Sequence, residues 1–414
     1  MLKYIALAVF SIFFISKNVV ADYFFVVQNK EIFHSDVSKT FNNNKHTYIL
    51  LTNEIFKFQV DNKFRKVFKE IVFFKKIDVC TLSNFLKSYL PTIKGKIHII
   101  THDECSLEIV AEVREILNIK GDRLEFVMPF RNKLILRRKL SEQGLLQPKY
   151  YLLQQQQPLN GDELSFPFFI KPVGEARCRS IYEIKAKEDL VKFNSKIFHN
   201  AQEQFIAEEK IEGKLYNCSF IFLNGSVKKI FFLEYAYPCF EFFYGKPLGA
   251  IDLGQHIPNG LKAFCLQALK ILKNLENCVG HIEVFEKNNQ YYCLEIAIRP
   301  PGALFIDLVE EDYGINLEQT HYKIQIEKSR KVRIGKQHKT SFWLWYPKPK
   351  GNVNESWLKD MRQYQETCKI YYTEDYCFCG PKFLGDRFYE VRMSSKRGYE
   401  KTLQIFNELK AKYD

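Results

Sequence analysis

The chain has 414 residues, too many for one simple core, so two or three domains are expected. Its 46% hydrophobic and 26% charged content is that of an ordinary globular protein. The net charge of +13 suits nucleic acid, anionic lipid or phosphorylated small molecules, but no arginine-rich arm, helix-turn-helix spacing or zinc-finger spacing supports a nucleic-acid partner.

The N-terminus reads "MLKYIALAVFSIFFISKNVVADYFF": Lys3, an apolar run over residues 4–16, then Val19, Val20 and Ala21. This is the outline of a signal peptide cleaved after Ala21. The run is shorter than the roughly 20 residues of a transmembrane helix, and a buried strand and helix in a Phe- and Ile-rich chain gives the same pattern. The eleven cysteines have no regular spacing, and Cys377 and Cys379 have no second pair nearby. Reduced thiols are expected rather than a disulfide framework.

From residue 22 to about 125, short apolar runs alternate with helical stretches. The strands are "YFFVVQ" (23–28), "HTYILLT" (46–52), "EIVFFKKI" (70–77) and "KIHIIT" (96–101), and the clearest helix is "SLEIVAEVREILNI" (106–119). That alternation predicts a parallel α/β domain. Residues 129–145 read as an amphipathic helix carrying Arg131, Lys133, Arg137, Arg138 and Lys139. A polar loop (154–162), strands and hairpins to about 235, a loop-rich stretch and a helix (260–275) follow within a second unit, 126–334. The last unit, 335–414, is a smaller α/β segment with strands "TSFWLWYP", "CKIYYT" and "RFYEVRMSS" and a final helix.

The hairpin "GHIEVFEKNNQYYCLEIAIR" turns through Asn288, Asn289 and Gln290. Centring the turn on Asn289 sets Glu283 opposite Glu295. Tyr292, Leu294, Ile296 and Ile298 then share one face, and Glu295 and Arg299 the other. Facing Cβ atoms lie about 4.5–5.5 Å apart, where like charges are destabilising. A hard cation such as Mg²⁺, which takes carboxylate oxygens together with substrate phosphates, answers that repulsion; a solvated hairpin face with an incidental Glu pair is the other reading. Arg299, further along the same face, can meet an anionic oxygen. His281 faces the same way, either orienting a substrate or as a hydrogen-bonded structural residue. Upstream, "FPFFIKP" (166–172) is a strand ending at Lys171, and "FIAEEKIEG" (205–213) is a second strand entry with Glu208 and Glu209 before Ile211 and Gly213.

A strand-end lysine, an acidic hinge and a carboxylate hairpin closing with Arg, in this order, resemble the ATP-grasp superfamily, specifically its carboxylate–amine (L-amino-acid) ligases. The resemblance covers residues from about 22 to 330 and extends to the small C-terminal segment. It implies an ATP-grasp fold behind an N-terminal pre-ATP-grasp α/β domain. "RNKLILRRKLSEQGLLQPKY" is similar to the stretch that bears the first nucleotide lysine, Lys133, and "FFIKP" to that bearing the second, Lys171. "AEEKIEG" resembles the adenine hinge, with Glu208, the backbone of Glu209 and the amide of Ile211 framing the base. "HIEVF" and "LEIAIRPPG" resemble the magnesium-binding hairpin, with Glu283 and Glu295 as ligands and Arg299 facing phosphate or acyl phosphate.

The chain departs from that pattern in four places. The loop after Lys171, "GEARCRSIY" (174–182), has one glycine, and Arg177 and Arg179 are the side chains able to replace its backbone contacts. Asn132 precedes the first lysine where Asp is usual, Leu215 follows the hinge glycine where Glu is common, and Ala297 stands where many members have Asn. The implied activity is an ATP- and Mg²⁺- (or Mn²⁺-) dependent ligation of a small-molecule carboxylate to an amine. An ATP-binding protein with weak or lost catalysis and a biotin-carboxylase-like carboxylase are the alternatives. ATP supply and the thiols favour the cytoplasm, with membrane tethering or export through residues 4–16 as the other reading; a homodimer is compatible with the sequence.

Overall fold

The computed structural model describes residues 21–30, 32–42, 44–153, 159, 163–174, 180–196, 204–327, 331–348, 359, 361, 364, 368–372, 384, 386–396 and 398–412. Residues 1–20, and with them the signal-like segment, lie outside these, as do Arg177 and Arg179. No helix of the described residues is long and apolar enough to cross a membrane.

Strands β1 (Asp22–Gln28), β2 (His46–Asn53), β3 (Glu70–Phe74) and β4 (Ile97–Ile100) form a parallel sheet in the order β3-β2-β1-β4. Both faces are covered. Phe24, Val26, Tyr48 and Leu50 pack into one core, and Phe25, Val27, Ile49 and Leu51 into another with the helices Val79–Tyr89 and Leu107–Ile116. Burial on two sides is why these strands read as continuous apolar runs.

A small antiparallel sheet follows, built from β5 (Tyr150–Leu152), β6 (Phe168–Pro172), β7 (Tyr182–Ile184) and β8 (Phe205–Glu209) in the order β5-β8-β6-β7. The remaining strands are β9 (Lys214–Leu223), β10 (Ser226–Tyr235), β11 (Leu248–Asp252), β12 (Cys278–Lys287), β13 (Gln290–Ala297), β14 (Thr340–Pro347), β15 (Lys369–Tyr372) and β16 (Arg387–Ser395). They make one eight-stranded sheet, ordered β13-β12-β9-β10-β11-β14-β16-β15. The strands of the C-terminal unit thus extend the sheet that carries the carboxylate hairpin.

The predicted helix over 129–145 is shorter than expected. A 3-10 turn, Met128–Phe130, leads to Asn132, whose side chain accepts from the Ile135 amide and caps the helix Lys133–Glu142. The predicted helix over 260–275 likewise divides into an α-helix, Leu261–Ala268, and a 3-10 turn, Leu269–Asn274.

The hairpin also differs in detail. Its turn is the two residues Asn288 and Asn289, both at positive φ (51° and 58°), the geometry of a type I′ turn. Lys287 therefore pairs with Gln290, and Val284 with Cys293. A β-bulge at Leu294 then adds one residue, and Glu283 comes opposite Glu295 after all. The bulge changes the phase of the strand. Cys293, Ile296 and Ile298 enter one core, whereas Tyr292 and Leu294 pack on the other side of the sheet, so the single apolar face expected for 292–298 is not formed.

The helix Leu317–Ile326 joins the two large units. The Tyr322 hydroxyl lies 2.7 Å from His102 Nδ1 and accepts from the His102 amide, and the buried Glu318 accepts from the amides of His34 and Ser35. This buried seam holds the end of β4 over the large sheet.

A second buried contact ties the C-terminal strands to the core. Asp252, at the end of β11, accepts from Tyr313 and from Gln337 (2.9 Å), and Asp312 accepts from the amide and hydroxyl of Ser341. The two carboxyls are neighbours, and burial together with the Asp252 charge pushes Asp312 up to about 8. The folded protein keeps this proton to a higher pH than the unfolded chain does. The resulting stabilisation is complete below the ordinary aspartate range and is lost as pH rises through about 8. Asp312→Asn is expected to flatten the fall in stability between pH 5 and 8, as measured by denaturant unfolding; parallel curves for the two proteins would count against the retained proton.

Candidate active site

The two large units and the small sheet enclose a cavity of about 1400 Å³. That exceeds the roughly 300–1,000 Å³ of pockets for single drug-sized ligands. Lys133, Lys171, Glu209, Ile211, Glu283, Glu295 and Arg299 all line it. Residues spread over 167 positions of sequence are therefore brought to one space, from Lys133 to Arg299.

The hairpin supplies the floor. Glu283 is pushed up to about 7 by burial and by the Glu295 carboxylate, while the Tyr235 hydroxyl donates to it at 2.6 Å. Asn217 lies opposite Glu283 in the β9–β12 register. Two carboxylates beside an amide form a hard oxygen-donor set of the kind Mg²⁺ takes. Among the described residues no group of three or more His, Cys, Asp or Glu could hold a metal. A cation bound by this pair would need further oxygens from a ligand such as a phosphate, so the donor set fits Mg²⁺ shared with a nucleotide. His281 also lines the cavity, with Nδ1 3.2 Å from the Arg299 carbonyl oxygen, and burial lowers its pKa to about 3, which favours the neutral ring.

The two lysines approach from above. Lys133 opens its helix, and burial depresses its pKa against the opposing pull of Glu295. Lys171, at the end of β6, contacts Glu208 at 2.5 Å. Glu208 is fully buried and is held near 2 by Arg137 and Lys171, which outweigh its desolvation. Its side chain is thus committed to an ion-pair network, while the hinge over Glu209–Gly213 faces the cavity with its backbone and with Ile211. Phe169 and Ile211 from the small sheet and hinge, and Leu215, Phe285 and Leu294 from the large sheet, form an apolar slot beside that hinge. Leu215, unusual as a sequence feature, is a buried wall of this slot.

Three residues were not singled out by the sequence as site residues. Arg137 is 1% exposed; its guanidinium binds Glu208 at 3.0 Å and donates to the Cys293 and Leu294 carbonyl oxygens at 3.1 and 2.8 Å. It therefore satisfies the carbonyls at the bulge and fixes Lys171 through Glu208. Glu104, from the turn after β4, bridges Arg299 (2.5 Å) and Arg131 (3.1 Å), and these guanidiniums hold it near 2 despite burial. Arg299 thus points into the cavity already anchored by the N-terminal unit. Tyr235 is the third. Nothing local in the sequence marks them: Arg137 sits among other basic residues of its helix, Glu104 in a polar turn and Tyr235 at the end of an aromatic-rich strand.

No family model matches the chain. A curated protein, the L-arginine-specific L-amino acid ligase of Bacillus subtilis, is 22% identical over 267 residues, covering 62% of this chain and 64% of that protein's length. Among solved structures, the L-amino acid ligase from Bacillus licheniformis superposes with a TM-score of 0.66 at 18% identity, over 95% of this chain and 97% of that one. The N5-carboxyaminoimidazole synthetase from Staphylococcus aureus complexed with ADP gives 0.62 at 15% identity, over 95% and 97% of the two chains. The chain has the ATP-grasp fold.

Proposed function

We propose that the protein is an ATP- and Mg²⁺-dependent ligase that joins a carboxylate, an amino acid, to an amine through an acyl phosphate, releasing ADP and phosphate. The observation that carries this reading is the Glu283–Glu295 pair on the floor of a cavity whose other walls present Lys133, Lys171 and Arg299. The resemblance to amino-acid ligases supports it.

In this reading the adenine enters the apolar slot at the hinge over Glu209–Gly213. Lys133 and Lys171 neutralise charge on the phosphates, and the substrate carboxylate attacks the γ-phosphorus. Phosphoryl transfer asks mainly for positioning and electrostatic stabilisation, which a site of Lys, Arg and two Glu supplies. Glu283 and Glu295 would hold Mg²⁺, with Asn217 beside them, and the ion would supply charge neutralisation at the phosphate oxygens. Arg299 stabilises the oxyanion when the amine attacks the acyl phosphate. Glu104 is a positioning residue that keeps that guanidinium aimed. Arg177 and Arg179 are assigned to the phosphates from their place in sequence. ATP as substrate and the described free thiols favour the cytoplasm as the site of action.

The test is phosphate release from ATP and Mg²⁺ with pooled amino acids. Release is expected to require the amino acids and to stop when EDTA exceeds the metal. Tight ATP binding with no amino-acid-dependent release would support a nucleotide-binding protein without ligase activity instead.

A further inference from the structure

Beyond the carboxylate pair, the cavity floor changes character strand by strand. Glu295 on β13, Glu283 on β12 and Asn217 on β9 are polar. The next strands present Tyr235 on β10, Leu248 on β11 and Trp345 on β14, with Leu248 opposite Trp345 in register. Phe305, below them, meets the Tyr235 ring edge-on at 5.1 Å and the Trp343 ring at 5.4 Å. Phe243, from the 3-10 turn Cys239–Tyr244, closes the lobe from the side. Phe243 and Trp345 keep part of their surface open to the cavity, unlike the core aromatics Phe231 and Phe242. Large rings left half-covered beside a polar centre form a binding wall.

The charges around this lobe are already satisfied within the chain. Glu241, on the same 3-10 turn, faces Lys210 at 3.7 Å. Glu390 accepts from the Trp345 indole and is paired with Arg387 (2.9 Å) and Arg392 (2.6 Å). A cationic side chain placed here would be desolvated against carboxylates whose partners it would have to displace, and a buried, unpaired charge is costly. An anionic one would face Glu241.

Resting on the ligase reading above, we propose that one of the two substrates is an amino acid with a bulky, uncharged apolar side chain, seated in the lobe of Tyr235, Phe243, Leu248, Phe305 and Trp345. Tyr235 marks the boundary, with its ring in the lobe and its hydroxyl on Glu283.

The full chain, saturated with ADP and Mg²⁺, is titrated calorimetrically with leucine, phenylalanine, serine, arginine and glutamate, and phosphate release from ATP is followed with the same panel. Leucine and phenylalanine are expected to bind, and to act with kcat/KM at least about 10-fold above the other three, as apolar contacts of a few methylenes allow. Phe243→Ser should lower that preference about 10-fold at unchanged ADP affinity. Phe243→Glu should move the preference toward arginine, a gain that misfolding cannot imitate. Arginine or glutamate binding as tightly as phenylalanine to the unmodified protein, or an unaltered preference in both variants, overturns the assignment while leaving the ligase reading intact. Binding of leucine and phenylalanine that Phe243→Ser abolishes, without phosphate release, supports the lobe and instead removes the ligase reading.

Discussion

Glu295→Gln is expected to abolish amino-acid-dependent phosphate release while the protein stays folded, and Glu283→Gln to do the same. Each substitution removes one carboxylate of the pair on the cavity floor. The expected loss exceeds the roughly 10–100-fold that follows removal of an outer-shell partner of a metal ligand, because the pair itself is the charge that a divalent cation needs. Stability should move the other way. In the metal-free protein the two carboxylates repel, and burial has already pushed Glu283 up to about 7. A neutral amide relieves that repulsion, so both variants should unfold at equal or higher denaturant than the parent in EDTA. Added Mg²⁺ with ADP should stabilise the parent and have little effect on the variants. Single-turnover phosphate release, paired with denaturant unfolding in EDTA and in Mg²⁺–ADP, checks both halves. A variant that keeps full activity would remove the hairpin from the chemistry.

Arg137→Met is expected to cost about 3–5 kcal/mol of folding stability, the range for breaking one partner out of a buried ion pair. The guanidinium is almost completely enclosed, and its loss leaves the buried Glu208 carboxylate with Lys171 as its remaining cation and strands two carbonyl oxygens at the Leu294 bulge. Glu208→Gln with Arg137→Met together should cost less than the sum of the two single changes, since the former removes the charge that the latter leaves with one cation fewer. Arg137→Lys should recover little, because a point charge cannot serve a carboxylate and two carbonyls at once. Urea unfolding of the three variants gives the coupling directly. Additive costs would mean that Arg137 acts through packing alone.

Much of the site was legible in the order of short motifs. Lys133 and Lys171 sit at the ends of elements that the hydrophobic pattern marks, the hinge over 208–213 links two strands, and Glu283 and Glu295 face each other across a hairpin whose turn the sequence shows. The four parallel strands of the N-terminal unit were legible for the same reason, since strands buried on both faces are uninterrupted apolar runs. The register of the hairpin was reached despite a mistaken turn. A two-residue turn shifts the pairing by one, and the bulge at Leu294 shifts it back. Periodicity cannot see such a bulge, because one inserted residue only changes which face the next apolar residue occupies.

What the sequence by itself determined is therefore the set of charged residues that local chain geometry presents at strand ends, hinges and facing positions of a hairpin. Only the tertiary structure decided their partners. Glu104 reaches Arg299 across 195 positions, Arg137 meets Glu208 across 71, and Tyr235 reaches Glu283 across 48. The reason is physical: secondary-structure patterns record which side of an element is buried, a property of neighbours within a few residues. The pairing of buried charges depends on how separate elements pack, and an arginine on a helix looks the same in sequence whether it faces water or a carboxylate.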